Sequence, residues 1–256
     1  KEQRLIYTFN ERRIIAERMG VDVLIEYPFT KETAAMDPTA FIKDVLIDKV
    51  GARFVVVGED FRFGKNRKGN TDLLESMAPL LGYQTDICRK ICDDIPPGLD
   101  GNEKTETKKI GSTIIRKAIS AGDIETANRL LGFPFAIMGE VVHGRRIGRT
   151  IGMPTANLMT PENKLLPPNG VYISRTRIYN KEYPSVTNIG CNPTVSDSGS
   201  RRIETYVYEF TGDLYGKDIE VMLYHYQRPE MKFESIDALK TQMHKDKDSA
   251  VAYFNQ

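Results

Sequence analysis

Polar and apolar positions alternate through much of the second half of the chain, which is the pattern of β-strands that bury one face. The alternation recurs in four segments that are rich in Tyr and Val and joined by Gly/Pro turns: FAIMGEVVHG, GVYISRTRIYNKEYPSVTNIG, RRIETYVYEF and DIEVMLYHYQR. No helix pattern separates them, so we predict an antiparallel barrel or sandwich. A helix pattern with Ser235 as its N-cap follows the last strand.

The first half has a different pattern, in which helix periods alternate with short apolar runs. Residues 8–19 predict a helix that ends at Gly20, and Asp37 followed by Pro38 predicts the start of another. Three runs predict strands: VDVLIEYPF, expected to be buried, ARFVVVGEDFRFG and YQTDICRKI. Apolar strands separated by helices predict a parallel sheet covered on both faces, with ligands at the carboxyl ends of its strands.

The pattern changes near Gly132, so we predict one domain over residues 1–132 and a second over residues 133–256. Residues 93–108 have no period and many turn formers, which predicts a mobile loop. The segment after it, STIIRKAISAGDIETANRLLG, predicts two short helices broken near Gly122.

Composition narrows the class of protein. The chain has 256 residues, 40% of them hydrophobic, and a net charge of +1, which excludes global disorder and argues against a dedicated polyanion binder. Its three cysteines, Cys88, Cys92 and Cys191, lack the spacing of a zinc site, so we expect reduced thiols in a cytoplasmic protein. No apolar run is long enough for a membrane span and no secretory signal is visible. The chain starts inside a helix pattern without Met, so we expect it to be part of a longer protein.

Two oxygen-bearing side chains stand two residues apart in the segment GRTIGMPTAN, residues 148–157. The Thr155 hydroxyl and the Asn157 amide are hard donors that suit a magnesium ion, and in an extended segment both face the same side. Nearby glycines would let backbone amides approach phosphates, and three arginines add positive charge: Arg145, Arg146 and Arg149. A plain turn uses the same residue types, so the pattern alone leaves both possibilities open.

A carboxylate and two further segments are also candidates. Glu204 shares a strand face with Tyr206 and Tyr208 and could accept the proton of an attacking hydroxyl, although most strand glutamates are simply solvated. TNIGCNPT, residues 187–194, could line a ligand site or merely connect strands. KIGSTIIR, residues 109–116, offers a helix start that suits phosphate or an ordinary N-cap. The histidines lie far apart, in no metal or triad spacing: His143, His225 and His244.

The segments follow one another in a characteristic order. The second half contains GRTIGMPTAN, LLPPNGVY, NIGCNPT, ETYVYEF, DLYGK and RPEMKFESIDALKTQ, and the first half contains VVVGEDFRFGKNRKG and STIIRKAISAGDIETANRLLGFPF. In this combination the chain resembles, over nearly its whole length, the bacterial bifunctional riboflavin kinase/FMN adenylyltransferases, also called FAD synthetases. The resemblance implies an α/β nucleotidyltransferase-like (Rossmann-like) parallel-sheet domain, followed by an antiparallel Greek-key β-barrel kinase domain with a C-terminal helix.

For the kinase half, the resemblance implies transfer of the γ-phosphoryl group of Mg-ATP to the riboflavin 5′-hydroxyl, giving FMN. Thr155 and Asn157 would coordinate the magnesium, and Glu204 would act as the base. Residues 139–148 would form a flap over the nucleotide phosphates. The remaining implied residues are Gly144, Gly148, Asn169 and Gly170 on the nucleotide side, and Asn188, Arg228 and Phe233 near the flavin.

For the first half, the resemblance implies an adenylyltransferase that makes FAD from FMN and ATP. Its implied residues are Asp60, Phe61 and Phe63 near FMN, and Lys109, Ser112, Thr113 and Arg116 in the phosphate-binding segment. Gly111 stands where the family usually has serine. The family's first strand and its histidine-containing, glycine-rich turn have no counterpart in these residues. We therefore expect an N-terminally incomplete domain, whose adenylyl transfer requires a part outside this sequence.

Two other function classes compete with this interpretation. A flavin- or nucleotide-binding regulatory module without catalysis would be expected to lose at least one of Thr155, Asn157 and Glu204, and all three are present. A nucleic-acid-binding barrel would need a basic excess and an aromatic face, which the balanced charge disfavours. We expect riboflavin, FMN and ATP as partners, and neither a nucleic acid nor a membrane.

Overall fold

The computed structural model of the chain describes residues 4–99, 101, 103–144, 153–191 and 201–255. Its helices are α1 (Phe9–Arg18), α2 (Lys31–Ala34), α3 (Pro38–Ala40), α4 (Thr71–Leu81), α5 (Ser112–Ala121), α6 (Ile124–Leu131) and α7 (Ile236–Phe254), with a π-helix over Phe41–Lys49 and a 3-10 turn over Lys65–Arg67. Its strands are β1 (Phe54–Gly58), β2 (Gln84–Cys88), β3 (Cys92–Ile95), β4 (Glu106–Lys109), β5 (Ala136–Val142), β6 (Thr155–Met159), β7 (Gly170–Ile178), β8 (Lys181–Cys191), β9 (Arg201–Val207) and β10 (Asp218–Arg228).

Contacts between residues divide the chain into two compact units. The larger unit comprises Lys1–Gly20, Ile95–Glu106 and Gly111–Gln256, and the smaller comprises Val21–Asp94 and Thr107–Ile110. By contact, therefore, α1, α5 and α6 belong with the barrel. The domain boundary near Gly132 rests on the sequence pattern and stays a prediction.

The larger unit is built on a closed six-stranded barrel in the order β10-β5-β6-β9-β8-β7. Every neighbouring pair is antiparallel, and β10 pairs with β7 to close the barrel. The tight β7–β8 hairpin turns at Tyr179 and Asn180, whose φ angles of 48° and 65° are the left-handed values that such a turn requires. The antiparallel barrel predicted from the alternating pattern is confirmed.

The two faces of β9 have different environments, as strand alternation predicts. Ile203 and Thr205 are fully buried in the barrel interior. Thr205 there joins a chain of buried hydroxyls, because its Oγ1 lies 2.8 Å from that of Thr187, which lies 2.8 Å from the Ser174 Oγ. The alternate positions of β9 are only half-buried, and they line a cavity described below.

Helix α1 is fixed to the barrel by a buried ion pair. Thr8 and Glu11 form a capping box at the start of the helix, and Glu11 is 2% exposed. The Lys164 Nζ lies 2.8 Å from the Glu11 carboxylate and also donates to the carbonyls of Ile6 and Ala136. Glu11 additionally accepts from the backbone amide of Met138 in β5. Each buried charge therefore has several partners, which is the condition for tolerating it in a core.

Several sequence predictions are confirmed at helix ends. The helix over residues 8–19 is present as α1, and Gly20 follows it with φ +83°. Asp37 caps α3 by accepting from the amides of Thr39 and Ala40, and Pro38 is the first helical residue. The break near Gly122 separates α5 from α6, and Ser235 caps α7. The chain continues from α3 as a π-helix.

The smaller unit contains a two-stranded parallel pair, β1 with β2. The prediction of a buried strand in VDVLIEYPF is wrong: residues 21–29 form no strand, and Val23 and Phe29 are 73% and 89% exposed. The expected cover on both sheet faces is also absent at β1, where Phe54 and Val56 are exposed. An apolar run supplies propensity, but burial also requires a neighbouring strand or helix, and the described residues provide none on that side.

The interpretation of residues 93–108 as a loop without secondary structure is also wrong in part. Strands β3 and β4 pair with each other, and the Thr107 hydroxyl donates to the Asp94 carboxylate at 2.6 Å. Charged and polar residues such as these give little strand signal, because pairing between two short segments is not visible in either one alone.

Candidate active site

Three neighbouring strands bring the sequence-predicted polar residues into one row. In the register of β6, β9 and β8, Asn157 is opposite Glu204, which is opposite Asn188. The next row consists of Thr155, Tyr206 and Val186. Directly paired residues of antiparallel strands point to the same face, so an amide, a carboxylate and a second amide lie side by side. The turn alternative for Thr155 to Asn157 is thereby excluded, because these residues form a strand.

A first cavity of about 290 Å³ lies against this face of the barrel. Strands β6 to β10, the loop after β10 and helix α7 all contribute to its wall. The wall includes five residues predicted from the sequence: Thr155, Asn188, Glu204, Arg228 and Phe233. These residues are separated by up to 78 positions in the chain (Phe233 minus Thr155), and the fold brings them to one cavity.

Glu204 has a charged neighbour on its own strand. The Arg202 Nε lies 3.3 Å from the Glu204 Oε1, and the two side chains are 28% and 22% exposed. Both line the first cavity, so a ligand there can reach the carboxylate and the guanidinium together. Arg202 was not predicted from the sequence, although its position two residues before Glu204 places it on the same strand face.

Arg228 is held by an acidic residue of helix α7. Its Nε and one terminal nitrogen donate to the two carboxylate oxygens of Asp246, at 2.9 and 2.6 Å, and the other terminal nitrogen donates to the Pro229 carbonyl at 2.9 Å. Asp246 is 3% exposed and also accepts from Gln227 and Gln242. This bidentate pair fixes α7 over the cavity, to which Asp246 itself contributes. Sequence reasoning missed Asp246, which has no local signal in a helix rich in charges.

Two further polar residues line the first cavity, Asn188 and Glu230. The Asn188 amide nitrogen donates to Glu230 at 3.4 Å, whereas its Oδ1 is buried without a hydrogen-bond partner among the described residues. Glu230 is a third residue that the sequence did not single out. A side chain at Gly190 would meet it, since a Cβ there would lie 2.1 Å from the Glu230 Oε1. An unsatisfied buried acceptor is costly, so the Asn188 oxygen is suited to a ligand donor.

Of the two residues predicted for the nucleotide side, Asn169 contacts Glu230, whereas Gly170 lies against Tyr226. The Asn169 Nδ2 is 3.3 Å from a Glu230 carboxylate oxygen, and its Oδ1 accepts from Arg201 at 2.7 Å. Gly170 begins β7, where an added Cβ would lie 2.5 Å from the Tyr226 ring. In the barrel order, strands β9 and β8 lie between β7 and β6, which carries Thr155. Gly170 and Thr155 are therefore not on neighbouring strands.

A second cavity of about 260 Å³ has one wall residue in common with the first, Thr155. Its wall comes from β5, β6 and the segment after β9, including Ala156, Phe210 and Tyr215. The Tyr215 ring packs on His143, with centroids 3.9 Å apart. Thr155 is therefore accessible from both cavities.

Gly144 lies directly against Asn157. A Cβ added at Gly144 would lie 2.3 Å from the Asn157 amide nitrogen, so only glycine allows this approach. The flap prediction is wrong for residues 139–142, which belong to strand β5. Residues 145–148 of the predicted flap, including Gly148, lie outside the described residues, as does Arg149. Among the residues that the structure describes, no three His, Cys, Asp or Glu side chains are grouped so as to hold a metal ion.

The residues predicted for adenylyl transfer fall in both units. In the smaller unit, Lys109 pairs with Asp60, and its hydrogen bond lowers the pKa of that carboxyl. The Phe61 and Phe63 rings stack with centroids 5.4 Å apart, and Phe63 is 7% exposed within a hydrophobic cluster.

The other three residues belong to α5 in the larger unit. Gly111 is the N-cap and makes no side-chain cap, so the interpretation of Ser112 or Thr113 as an ordinary N-cap is wrong. Ser112 and Thr113 are the exposed first residues of the helix, and the Arg116 Nε donates to the Arg4 carbonyl at 3.3 Å.

Every helix in the described ranges is too short or too polar to cross a lipid bilayer. A solved structure described as "Crystal Structure of Macrolide-efflux Protein from Streptococcus pneumoniae" is similar to this chain, with a TM-score of 0.76 and 31% identity over 96% of this chain and 75% of that one. This similarity supports the fold over nearly the whole chain.

Family models and curated relatives agree on one assignment. The riboflavin kinase family model matches residues 131–254, and the FAD synthetase family model matches residues 1–96. The bifunctional riboflavin kinase/FMN adenylyltransferase of Haemophilus influenzae is 35% identical over 93% of this chain and 73% of its own length. Its counterpart from Escherichia coli strain K12 is 36% identical over 94% of this chain and 73% of its own length. The chain therefore belongs to the bifunctional riboflavin kinase/FMN adenylyltransferase family, whose members are enzymes that phosphorylate riboflavin and adenylylate FMN.

Proposed function

We propose that riboflavin phosphorylation takes place in the first cavity, with Glu204 as the general base. The supporting observation is the position of Thr155 and Glu204: Thr155 borders both cavities, and Glu204 lines the first beside it. An acceptor hydroxyl in the first cavity and a nucleotide in the second would meet where these residues lie.

The proposed reaction is an in-line phosphoryl transfer. The riboflavin 5′-oxygen forms a bond to the γ-phosphorus of ATP, the bond from that phosphorus to the bridging oxygen breaks, and ADP leaves. Glu204 accepts the hydroxyl proton, which is the role of the catalytic carboxylate in kinases. Its position on a barrel strand, paired on both sides, fixes the carboxylate more rigidly than a loop would.

The flavin would occupy the part of the first cavity under α7. Phe233 and the apolar side chains of Leu239 and Met243 offer a surface for an aromatic ring system. The unpaired Asn188 oxygen would accept a hydrogen bond from a flavin N–H. Arg228 would act mainly by holding the cavity wall, because Asp246 and a backbone carbonyl already occupy its donors.

The nucleotide would occupy the second cavity, with magnesium near Thr155 and Asn157. Hydroxyl and amide oxygens are hard donors and suit this ion, which usually completes its shell with water and phosphate oxygens. Magnesium, when bound, offsets negative charge on the phosphates. Gly144 would let the backbone of the flap lie close to Asn157. Asn169 and Gly170 stay predictions for the nucleotide side: Asn169 contacts Glu230, and Gly170 lies against Tyr226.

For the family's second activity, we propose that Asp60, Phe61, Phe63 and Lys109 contribute to the FMN adenylyltransferase site. Ser112, Thr113 and Arg116 would contribute the phosphate-binding helix start. The match of residues 1–96 to the FAD synthetase family supports this assignment. Conversion of FMN and ATP to FAD and pyrophosphate tests it, measured for the chain joined to the part that adenylyl transfer is expected to require, with and without Lys109→Ala. Equal, non-zero rates would remove Lys109 from the site.

The experiment for the kinase reaction is incubation with riboflavin and Mg-ATP, followed by separation of riboflavin, FMN and FAD. FMN is the expected product, and its formation should require the divalent ion. Absence of FMN under these conditions would contradict the proposed site. The expected cytoplasmic location and the absence of nucleic-acid partners stay predictions.

A further inference from the structure

Among the described residues, two cationic side chains line the first cavity: Arg202 and Arg228. They differ in the hydrogen bonds that they donate. Each of the three guanidinium nitrogens of Arg228 donates a hydrogen bond, two to Asp246 and one to the Pro229 carbonyl. Its charge is neutralised by a buried carboxylate. Arg228 is therefore unsuited to bind the transferred phosphoryl group, although its positive charge in a kinase site would suggest that role.

Arg202, by contrast, donates no hydrogen bond to another described residue. Its Nε is buried and makes no hydrogen bond among the described residues, although it lies 3.3 Å from the Glu204 Oε1. The side chain is 28% exposed and reaches the cavity from the same strand face as Glu204. Arg202 is thus paired with Glu204 by charge but donates no hydrogen bond among the described residues, so its guanidinium can still donate to a ligand acceptor.

The position of Arg202 relative to Glu204 determines what it can contact. The hydroxyl oxygen that gives its proton to Glu204 is the same atom that becomes bonded to phosphorus. The transferred phosphoryl group therefore forms beside the Glu204 carboxylate, within reach of the adjacent guanidinium. This group is negatively charged, and like-charge repulsion from Glu204 would oppose it unless a cation stands nearby.

We propose that Arg202 contacts the phosphoryl group during its transfer and binds the 5′-phosphate of the product FMN. The proposal rests on the proposed role of Glu204 as the group that faces the 5′-hydroxyl. Arginine suits this task because its planar fork presents parallel donors to phosphate oxygens. The residue thereby balances the charge that Glu204 introduces next to the reacting atoms.

The test compares two ligands that differ only in the phosphate. Equilibrium dialysis with radiolabelled riboflavin gives the riboflavin affinity, and displacement by unlabelled FMN gives the FMN affinity at the same site. In Arg202→Gln, the FMN affinity should fall about 10- to 100-fold, because a hydrogen-bonded charge pair is lost, whereas the riboflavin affinity should change less than about threefold. Arg13→Gln, at an exposed position of α1, makes the same chemical change away from the cavity and should alter neither value.

Arg202→Met, which keeps an unbranched stem without charge, provides a second neutral variant if the glutamine variant does not fold. An equal loss of affinity for both flavins, or no change in either, would overturn the proposal. A third result would also overturn it: an unchanged ratio of the FMN and riboflavin affinities, together with a shift of the acid limb of the pH profile of kcat/KM to higher pH. Arg202 would then act only on Glu204. These binding measurements need no turnover, so they remain informative even if Glu204→Gln proves active and the proposed base is wrong.

Discussion

Asn157 and Glu204 are direct cross-strand partners in the β6–β9 pair. Side chains in such positions share one face of the sheet, with Cβ atoms about 4.5–5.5 Å apart. A candidate magnesium ligand and a candidate base are thus placed together by backbone hydrogen bonds, and Thr155 lies two residues from the first of them. The sequence separates Asn157 and Glu204 by 47 positions, so their proximity depends on the barrel.

The close approach of Gly144 to Asn157 predicts a specific effect of a small substitution. In Gly144→Ala, the added Cβ would lie 2.3 Å from the Asn157 amide, so the backbone or the amide must move. We expect the KM for ATP to rise at least about tenfold, because displacing Asn157, a proposed ligand of the magnesium ion, weakens the binding of Mg-ATP.

Steady-state kinetics with ATP as the varied substrate measures this effect. Gly98→Ala is the control: its φ of +80° makes alanine unfavourable there, but a Cβ would have no neighbour within 4 Å. The control should lose a little stability and keep its KM. If the KM for ATP is the same in Gly144→Ala as in Gly98→Ala, the proposed effect of Gly144 on nucleotide binding is contradicted.

The Arg228–Asp246 pair predicts a selective effect on flavin binding. Asp246→Asn removes the charge that holds Arg228 and loosens α7 over the first cavity, so the KM for riboflavin should rise at least about tenfold with a smaller change for ATP. Asp248→Asn makes the same substitution at an exposed position two residues away. Equal effects on both substrates in Asp246→Asn would show that the pair acts on the barrel as a whole.

The buried Lys164–Glu11 pair predicts a large effect on stability. Lys164→Met leaves the Glu11 carboxylate buried without its cation, and loss of one partner of a buried pair costs about 3–5 kcal/mol. The exposed Arg13–Glu17 pair on the same helix is the control, and Arg13→Gln should cost less than about 0.5 kcal/mol. Urea unfolding of both variants measures the difference, and similar values for the two would contradict the importance of the buried pair.

The same lysine predicts a pH dependence of stability. Burial lowers the pKa of Lys164 from 10.5 to about 8, although Glu11 opposes the shift. Above about pH 8 the unfolded chain therefore holds this proton while the folded protein releases it, so stability should rise with pH by on the order of 2 kcal/mol up to about pH 10.

Above that pH, buried tyrosines such as Tyr7 and Tyr208, whose pKa values burial raises, act in the opposite direction. Urea unfolding at a series of pH values from 7 to 10 measures the slope. Lys164→Met should lack the rise, and a rise of equal size in that variant would assign it to another group.

The success of sequence reasoning depended on how local each signal was. The caps at Asp37 and Ser235 and the glycine break at Gly122 involve neighbouring residues, and the structure confirms all three. The alternation around Glu204 likewise placed its side chain on the correct strand face. By contrast, the run at residues 21–29 has strand propensity, but propensity alone does not supply a pairing partner.

The residues of the site and of the core that were missed depend on distant contacts. Asp246 matters because it meets Arg228 from a helix 18 positions further along. Lys164 and Glu11 are 153 positions apart, and neither has a neighbour in the sequence that indicates burial. Arg202 is the exception: its spacing from Glu204 was visible, but a second charge on a strand face is usually solvated, so only the cavity and its buried Nε distinguish it.

The central claim is that Glu204 accepts the proton of the riboflavin hydroxyl, and Glu204→Gln tests it most directly. The amide keeps the size of the side chain but cannot act as a base, so kcat for FMN formation should fall about 100- to 10,000-fold. The riboflavin affinity should stay within about threefold, and Glu209→Gln, at an exposed position just beyond β9, should be unaffected. Near-normal kcat in Glu204→Gln would contradict the account.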